Sequence, residues 1–387
     1  MSEVKRKKAL IVTGYRYPNG DAGAIRQHTF AKIFEALNYD VTVVSMGKHT
    51  NFSFEEFEGI NYISFRNAKE TFFCKVKNKL EFTKRLKSLL KETFFDVILV
   101  AEIIPFALFF LKKYSKKNKI KLLYDSVEWY SAEEFKNGKL SINYINNNNL
   151  NTKWLDKQFS VISISTFLEE HFNSKGVNTV RIPVIMDIGQ IPCVKETDQQ
   201  KTVFLYAGSP GKKDFLAVII NAFALLPKEK LEKLELRLIG VRKEQLVTLC
   251  GVQENFVEYL GNSLVCLGRV SREEVFKNLS QADFTVLLRS ETQRYAKAGF
   301  PTKVVESLAT ATPIITNLTS DLGLYLKDGY NSFVARECSA DAFAKSICDA
   351  LAVSGEEKTL MYANSRETAE KNFDYRLYVE KTENLIG

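Results

Sequence analysis

Three stretches of this sequence concentrate residue types that can hold an anion. The run Ala207-Gly208-Ser209-Pro210-Gly211-Lys212-Lys213-Asp214 follows a short apolar segment and precedes a helical one. Its glycines let backbone amides approach phosphate at a helix N-terminus, and Lys212 and Lys213 add ammonium charge beside them. The GK[ST] ending and the spacing of a Walker loop are missing, so a phosphate clamp here would be of another kind. A second loop, from Gly14 to Ala24, carries Gly14, Gly20 and Gly23 ahead of the first helix. It offers the same approach to phosphate, and a merely long turn accounts for it equally well. Because it does not match GxGxxG, it speaks against a nicotinamide dinucleotide site. The third stretch leads from Arg289 into a helix that carries Lys303 and Glu306 one turn apart. At that place a carboxylate can bind a ligand or simply complement the helix dipole.

The elements that must position these loops alternate regularly. Strand-length apolar runs at Ala9–Thr13, Val41–Ser45, Ile60–Phe65, Val97–Val100, Lys121–Tyr124 and Val161–Ile164 are separated by helical periods at residues 24–37, 75–92, 105–117 and 166–174. After a polar stretch around residues 187–201 the alternation resumes, from Thr202–Tyr206 to Pro313–Ile315. This predicts an α/β chain of two Rossmann-like doubly wound domains facing across a cleft. Residues 1–190 form the first, 191–370 the second, and 371–387 a helix returning towards the first. Ligands of open parallel sheets bind at strand carboxyl ends, which is where all three stretches fall.

Composition excludes other classes. The chain has 387 residues, too many for one core, and 45% hydrophobic with 26% charged residues is a folded, not a disordered, balance. Six cysteines without a CxxC pair fit thiols of a reducing cytoplasm, and no metal site is indicated. Lys5-Arg6-Lys7-Lys8 precedes only four apolar residues, too few for a signal peptide, and no run reaches membrane-spanning length. The net charge of +8 resides in the first half, where residues 1–190 hold 29 Lys/Arg against 20 Asp/Glu. Basic residues cluster at Lys75–Lys91 and Lys112–Lys121. Such helices suit an anionic membrane surface or a solvated face, and no aromatic stack suggests nucleic acid.

Gly299-Phe300-Pro301-Thr302-Lys303-Val304-Val305-Glu306 and the following Ser307 to Ile315 resemble the nucleotide-sugar signature of the GT-B retaining glycosyltransferases, group 1 (family 4) type. Other pieces agree in order: Tyr206 to Phe223 resembles the glycine loop with its phosphate-binding lysine, Leu267-Gly268-Arg269-Val270-Ser271 the turn lining the nucleobase, and Gln281-Ala282-Asp283 the approach to the next strand. The resemblance spans nearly the whole chain and is strongest from Tyr206 to Val334. It implies a metal-independent transferase that takes a nucleotide diphosphate sugar as substrate, needs no cofactor and delivers the sugar to a saccharide or lipid-linked acceptor. It belongs to polysaccharide biosynthesis in the cytoplasm, peripheral at the inner face of the membrane. The implied donor site comprises Glu306 on the ribose, Lys303, Gly208, Ser209, Gly211, Arg269, Gly299, Phe300 and Thr302. Lys212 and Lys213 neutralise the leaving diphosphate.

The acceptor falls to the first domain. Asp125 and Glu128, after Lys121–Tyr124 and before Trp129-Tyr130, are its candidate catalytic carboxylates, with Glu102 at the tip of Val97–Val100. Such groups orient a sugar hydroxyl beside a stacking ring, or cap a helix. Each of the three histidines, His28, His49 and His171, has a structural reading that outweighs a catalytic one. The chain departs from the family in three places: the first of its two glutamates is Ala298, its loop arginine is Ser209, and a turn glycine is Ala311. Those departures keep open a non-catalytic sugar-nucleotide-binding partner subunit. An epimerase of the same fold is disfavoured by the scarcity of histidine.

Overall fold

A computed structural model describes residues 6–46, 53–64, 72–196, 200–208 and 213–387, with side chains in the helix Phe72–Glu92 described from Leu80. Ser209, Gly211, Lys212 and His49 lie outside the described residues.

The chain divides into two compact units. Unit 1 comprises Met1–Trp129, Lys139–Asp187 and Tyr375–Gly387, and unit 2 comprises Tyr130–Gly138 and Ile188–Asp374. The main division therefore falls after Asp187 instead of residue 190. The last segment changes unit at Tyr375 instead of residue 371. The assignment of Tyr130–Gly138 to unit 2 has no signal in the sequence.

Unit 1 is an eight-stranded sheet. Its strands are β1 (Lys7–Thr13), β2 (Tyr39–Ser45), β3 (Glu55–Phe57), β4 (Ile60–Ser64), β5 (Val97–Ala101), β6 (Lys121–Ser126), β7 (Ser160–Ser163) and β8 (Asn178–Arg181), in the spatial order β3-β4-β2-β1-β5-β6-β7-β8. All neighbours are parallel except β3 and β4, which form a hairpin. Ala9 to Val12 and Val97 to Val100 are fully buried, as expected where crossover helices cover both faces of a parallel sheet. The helix Val379–Ile386 puts Leu385 into this core, and Tyr375 N–H donates to Met186 O at 3.1 Å.

Unit 2 is a six-stranded parallel sheet of β9 (Thr202–Ala207), β10 (Leu234–Ile239), β11 (Leu264–Gly268), β12 (Phe284–Val286), β13 (Ile314–Thr316) and β14 (Ser332–Val334). Its order is β11-β10-β9-β12-β13-β14. In both sheets the chain starts centrally, builds outwards one way and then returns to build the other. The reversal lies between β1 and β5 in unit 1 and between β9 and β12 in unit 2, and each reversal opens a crevice at the carboxyl ends of the flanking strands. Asp283, at the foot of β12, accepts from Val203 N–H at 2.8 Å, Lys358 at 3.0 Å and Tyr362 Oη at 2.8 Å. That carboxylate ties β12 to β9 and to the helix Gly355–Phe373, which is the structural reason for an Ala-Asp pair ahead of this strand.

The strands with no sequence signal, β3, β8, β11 and β14, are three to five residues long and lie at or near sheet edges. Too few residues alternate in them to reveal a period.

Ala311 stands in the turn between the helix Thr302–Ala309 and β13 with φ +55°, in the left-handed region, and is buried. Its Cβ makes that conformation costly by about 1 kcal/mol, which glycine avoids. Ala311→Gly is therefore expected to raise the stability of the fold by roughly 0.5–1 kcal/mol, less the greater unfolded-state freedom of glycine. Urea unfolding of the two proteins measures this, and a lower midpoint in the glycine variant contradicts it.

Candidate nucleotide-sugar site

The carboxyl end of β9 meets that of β12 around one buried carboxylate. Asp214 accepts from Arg289 Nε at 3.0 Å and from Tyr206 Oη at 3.0 Å, and forms an ion pair with the Lys303 ammonium. Tyr206 comes from β9, Arg289 follows β12, and Lys303 lies in the first turn of the helix Thr302–Ala309, so Asp214 joins three elements. Phe215 N–H donating to Leu288 O at 2.9 Å fixes the same junction through the backbone. Burial alone would raise the Asp214 carboxyl. Lys303 and Arg289 outweigh it and hold the group at about 2. Burial and the facing Asp214 push the Tyr206 phenol well above its ordinary value, so it stays a neutral donor. Two cations facing one carboxylate leave a net positive charge at the mouth of the crevice.

Gly208 permits this arrangement. A Cβ there would lie 2.5 Å from Lys303 Nζ and 3.1 Å from Tyr206 Oη, so any side chain would displace the ammonium.

Glu306 lies one turn beyond Lys303 on the same helix face. Both border a small cleft with Leu205 and Ala207 of β9, Thr285 and Val286 of β12, and Ile314 of β13. Burial raises the Glu306 carboxyl, opposed by Arg272 and Lys303. The Arg272 guanidinium stands 3.8 Å away, and the Glu306 side chain keeps 21% exposure. The helix has no side-chain N-cap, its N-cap position being Pro301, and Val304 N–H donates to the Pro301 carbonyl at 3.1 Å. Positive charge, a helix start without a side-chain cap and a partly desolvated carboxylate suit a ligand with both phosphate and hydroxyl groups.

The remaining expected residues separate by role. Lys213 is engaged: its ammonium lies 3.3 Å from Glu134, over the rings of Tyr130 at 5.0 Å and Tyr295 at 5.7 Å. Tyr130 and Glu134 belong to the short segment Tyr130–Gly138 of unit 2, whose Ser131 Oγ accepts from Tyr295 N–H at 3.3 Å. Glu134 is nearly buried, and its Oε1 also accepts from Ser131 N–H at 2.7 Å. Phe300 is a core residue, packed on Tyr325 at 5.7 Å and Phe373 at 5.8 Å between ring centroids. Gly299 ends the helix Arg294–Ala298, whose Ala298 is fully buried, and Thr302 begins the next. Arg269 is exposed just after Gly268, whose φ is +65°. Arg272, one turn later, makes the contact with Glu306.

In unit 1 the geometry corrects one role. Asp125, at the end of β6, is fully buried and accepts Arg26 Nε at 2.9 Å, Arg26 Nη2 at 2.9 Å and Gln27 Nε2 at 2.7 Å. Arg26 also donates to the carbonyls of Ile182 and Pro183. With its charge paired to Arg26 and both oxygens accepting hydrogen bonds away from solvent, Asp125 clamps the helix Ala22–Ala36 to the sheet. Glu128 is half-buried, and its carbonyl accepts from Asn147 Nδ2 at 3.1 Å and Asn151 Nδ2 at 3.3 Å. Glu102 is exposed at the tip of β5 with φ +48°, its carbonyl crowding Gly14 so closely that no side chain fits there. Gly23 packs under the Tyr15 ring and Gly20 against Arg16. The helix Ala22–Ala36, which Gly14 and Gly20 precede and Gly23 helps to begin, is capped by Asp21, which accepts Ala24 N–H at 2.9 Å, so the three glycines serve packing first. His28 bonds Tyr17 Oη at 2.7 Å, and His171 bonds Asn151 O at 2.8 Å.

Sequence reasoning missed Arg289 and Arg272 and left Asp214 without a role. Arg289 sits 75 residues from Asp214 with no motif around it, so only the pairing of β9 with β12 reveals their contact.

The depressed Asp214 carboxyl makes a signed expectation. Its folded value lies below the unfolded one, so it contributes stability above about pH 4 that is lost as pH falls towards 2. Relative to Asp214→Asn, the wild type should lose about 2 kcal/mol of its advantage across that window. Urea unfolding of both proteins at several pH values tests this, and a difference independent of pH would contradict it.

Comparison with known proteins bears on the fold and on unit 2. Residues 188–368 match the model of the glycosyl transferases group 1 family. A curated relative, an uncharacterised glycosyltransferase of Methanocaldococcus jannaschii, is 22% identical over 71% of this chain and 69% of its own length. Sucrose-phosphate synthase of Thermosynechococcus elongatus superimposes with a TM-score of 0.78 at 15% identity, covering 98% of each chain. HepE of Anabaena, solved with UDP and glucose, superimposes with 0.68 at 16% identity, again over 98% of each. The chain has the GT-B fold, and its residues 188–368 match the glycosyl transferases group 1 family.

Proposed function

We propose that the protein transfers a sugar from a nucleoside diphosphate sugar to a saccharide or lipid-linked acceptor, with retention at the anomeric carbon, in cell-surface polysaccharide assembly. The observation that carries this reading is the placement of Lys303 and Glu306 one turn apart at an uncapped helix start, with Arg289 sharing the Asp214 carboxylate. When the anomeric carbon–oxygen bond breaks, negative charge grows on the departing diphosphate. Lys303 and Arg289, supported by the helix amides, stabilise it where it appears, so no metal ion is required. Glu306 accepts the two ribose hydroxyls and positions the donor. Arg289 supplies the guanidinium that the loop lacks at Ser209.

The acceptor oxygen bonds to the anomeric carbon from the face that the diphosphate leaves, and its proton passes to the departing phosphate oxygen. No side-chain base is needed for that step, consistent with Asp125 being occupied by Arg26. The HepE structure with UDP and glucose supports a uridine nucleotide as first probe. We place the protein in the cytoplasm, peripheral at the inner face of an anionic membrane. No described helix is long and apolar enough to cross one.

A non-catalytic sugar-nucleotide-binding subunit remains the second reading, favoured by one observation: Ala298 is fully buried and offers no carboxylate to the transferred sugar. An epimerase is disfavoured because His28 and His171 are committed to Tyr17 and Asn151.

Calorimetric titration with UDP, and nucleotide release from a panel of nucleotide sugars, test the reading. Glu306→Ala and Arg289→Ala should each weaken UDP binding about tenfold to a hundredfold, the range for charge-assisted hydrogen bonds. Unchanged affinity in both variants overturns the site. Donor binding without nucleotide release, even with lipid-linked acceptors, transfers the conclusion to the partner-subunit reading.

A further inference from the structure

The helix Pro105–Asn118 leaves β5 at its carboxyl end and exposes one narrow stripe. Phe106, Phe109, Phe110, Lys113, Lys116 and Lys117 recur at spacings of three, four and seven residues, within about a third of the helix circumference. Ala107, Leu108, Leu111 and Ser115 occupy the buried face. Phe106 is 75% exposed and Phe109 44%, which is unusual for phenylalanine on a folded surface. The helix holds no acidic residue.

The helix Phe72–Glu92 lies beside it. Tyr114 Oη donates to Leu90 O at 2.9 Å, and Lys87 Nζ lies 5.1 Å from the Phe110 ring centre. Leu80, Lys84, Lys87 and Lys91 are exposed at spacings of three and four, so this helix presents a matching stripe. Its described acids are nearly spent: Glu81 pairs with Arg85 at 2.8 Å, and Glu92, at the end, accepts from Ser88. Both helices connect parallel strands and run from the carboxyl edge of the sheet towards its amino edge. Their apolar residues, Leu80, Phe106 and Phe109, therefore lie towards the carboxyl edge, and most of their lysines lie behind.

We propose that this two-helix face of unit 1 is the membrane-docking surface, with Phe106 and Phe109 entering the acyl boundary and the lysines of both helices meeting anionic lipid headgroups. It rests on the membrane part of the proposed function and names the surface responsible. Exposed Phe106 and Leu80, with Phe109 half-exposed and packed edge-on against Trp154 at 5.2 Å, stand beside ammonium groups with few carboxylates among the described residues, which matches an interface that is apolar inside and anionic outside. Solvent alone leaves exposed phenylalanines without compensation. The position suits a lipid-linked acceptor, because Phe106 follows Glu102, at the carboxyl tip of β5, by one helical turn.

Flotation of the full chain with phosphatidylcholine vesicles, with and without phosphatidylglycerol, tests the proposal. The wild type should float with anionic vesicles, release as salt rises, and bind neutral vesicles weakly. Phe106→Ser with Phe109→Ser should weaken anionic binding about tenfold. Lys113→Glu with Lys117→Glu should weaken it at least about thirtyfold, since each surface lysine contributes about fivefold before reversal. Both pairs are exposed and outside the donor site, so UDP affinity should stay at the wild-type value. Equal flotation of wild type and variants overturns the proposal, as does absence of flotation at low salt. Loss of self-association in the phenylalanine pair, seen by light scattering, assigns the stripe to a second copy of the chain and overturns it too. Failure of UDP binding in the wild type, with vesicle binding intact, counts against the donor reading alone.

Discussion

One buried carboxylate organises the candidate site. Arg289 and Lys303 arrive from different elements, and without Asp214 between them their like charges would repel across a partly desolvated crevice. With it they stand together and retain a surplus of positive charge. Tyr206 closes the set by donating to the same group from β9, and Gly208 leaves the volume that the lysine fills. A ligand anion meets cations that are already positioned, so little reorganisation accompanies binding.

Why this carboxylate lies at the carboxyl ends of β9 and β12 follows from topology. The reversal of strand order separates the loops on either side, and the gap admits side chains from both. The helix Thr302–Ala309 then starts over the gap and brings Lys303 and Glu306 on one face. Arg272 completes the set from the next helix in space, giving Glu306 a partner distant enough to be exchanged for a ligand.

Unit 1 uses its charges differently. At its own reversal the loop after β1 is closed by Asp21 and packed through its glycines, while Arg26 and Asp125 form a buried pair that fastens helix to sheet. Buried charge there is structural. The excess of lysine that gives the chain its basic first half lies outside, on two adjacent helices that also expose phenylalanine and leucine. In unit 2 the charge lines a crevice, and in unit 1 it covers a surface.

The sequence by itself determined the alternation of strands and helices, the two doubly wound sheets, and the helix start that carries Lys303 and Glu306, because these depend on periodicity and on residues near one another along the chain. It also marked Ala311 as a departure, and the left-handed φ there explains why glycine is expected. Which cations meet which carboxylates was decided only by tertiary structure. Asp125 looked like a strand-tip catalytic group and is buried in a pair with Arg26, which lies 99 residues away in the chain. Lys213 looked like a phosphate ligand and is paired with Glu134 from a segment that unit 2 takes in. Arg289 carried no motif and shares the Asp214 carboxylate with Lys303. Electrostatic partners act over a few ångströms of space irrespective of sequence separation, so hydrophobic period reveals the frame while pairing of charges waits for the fold.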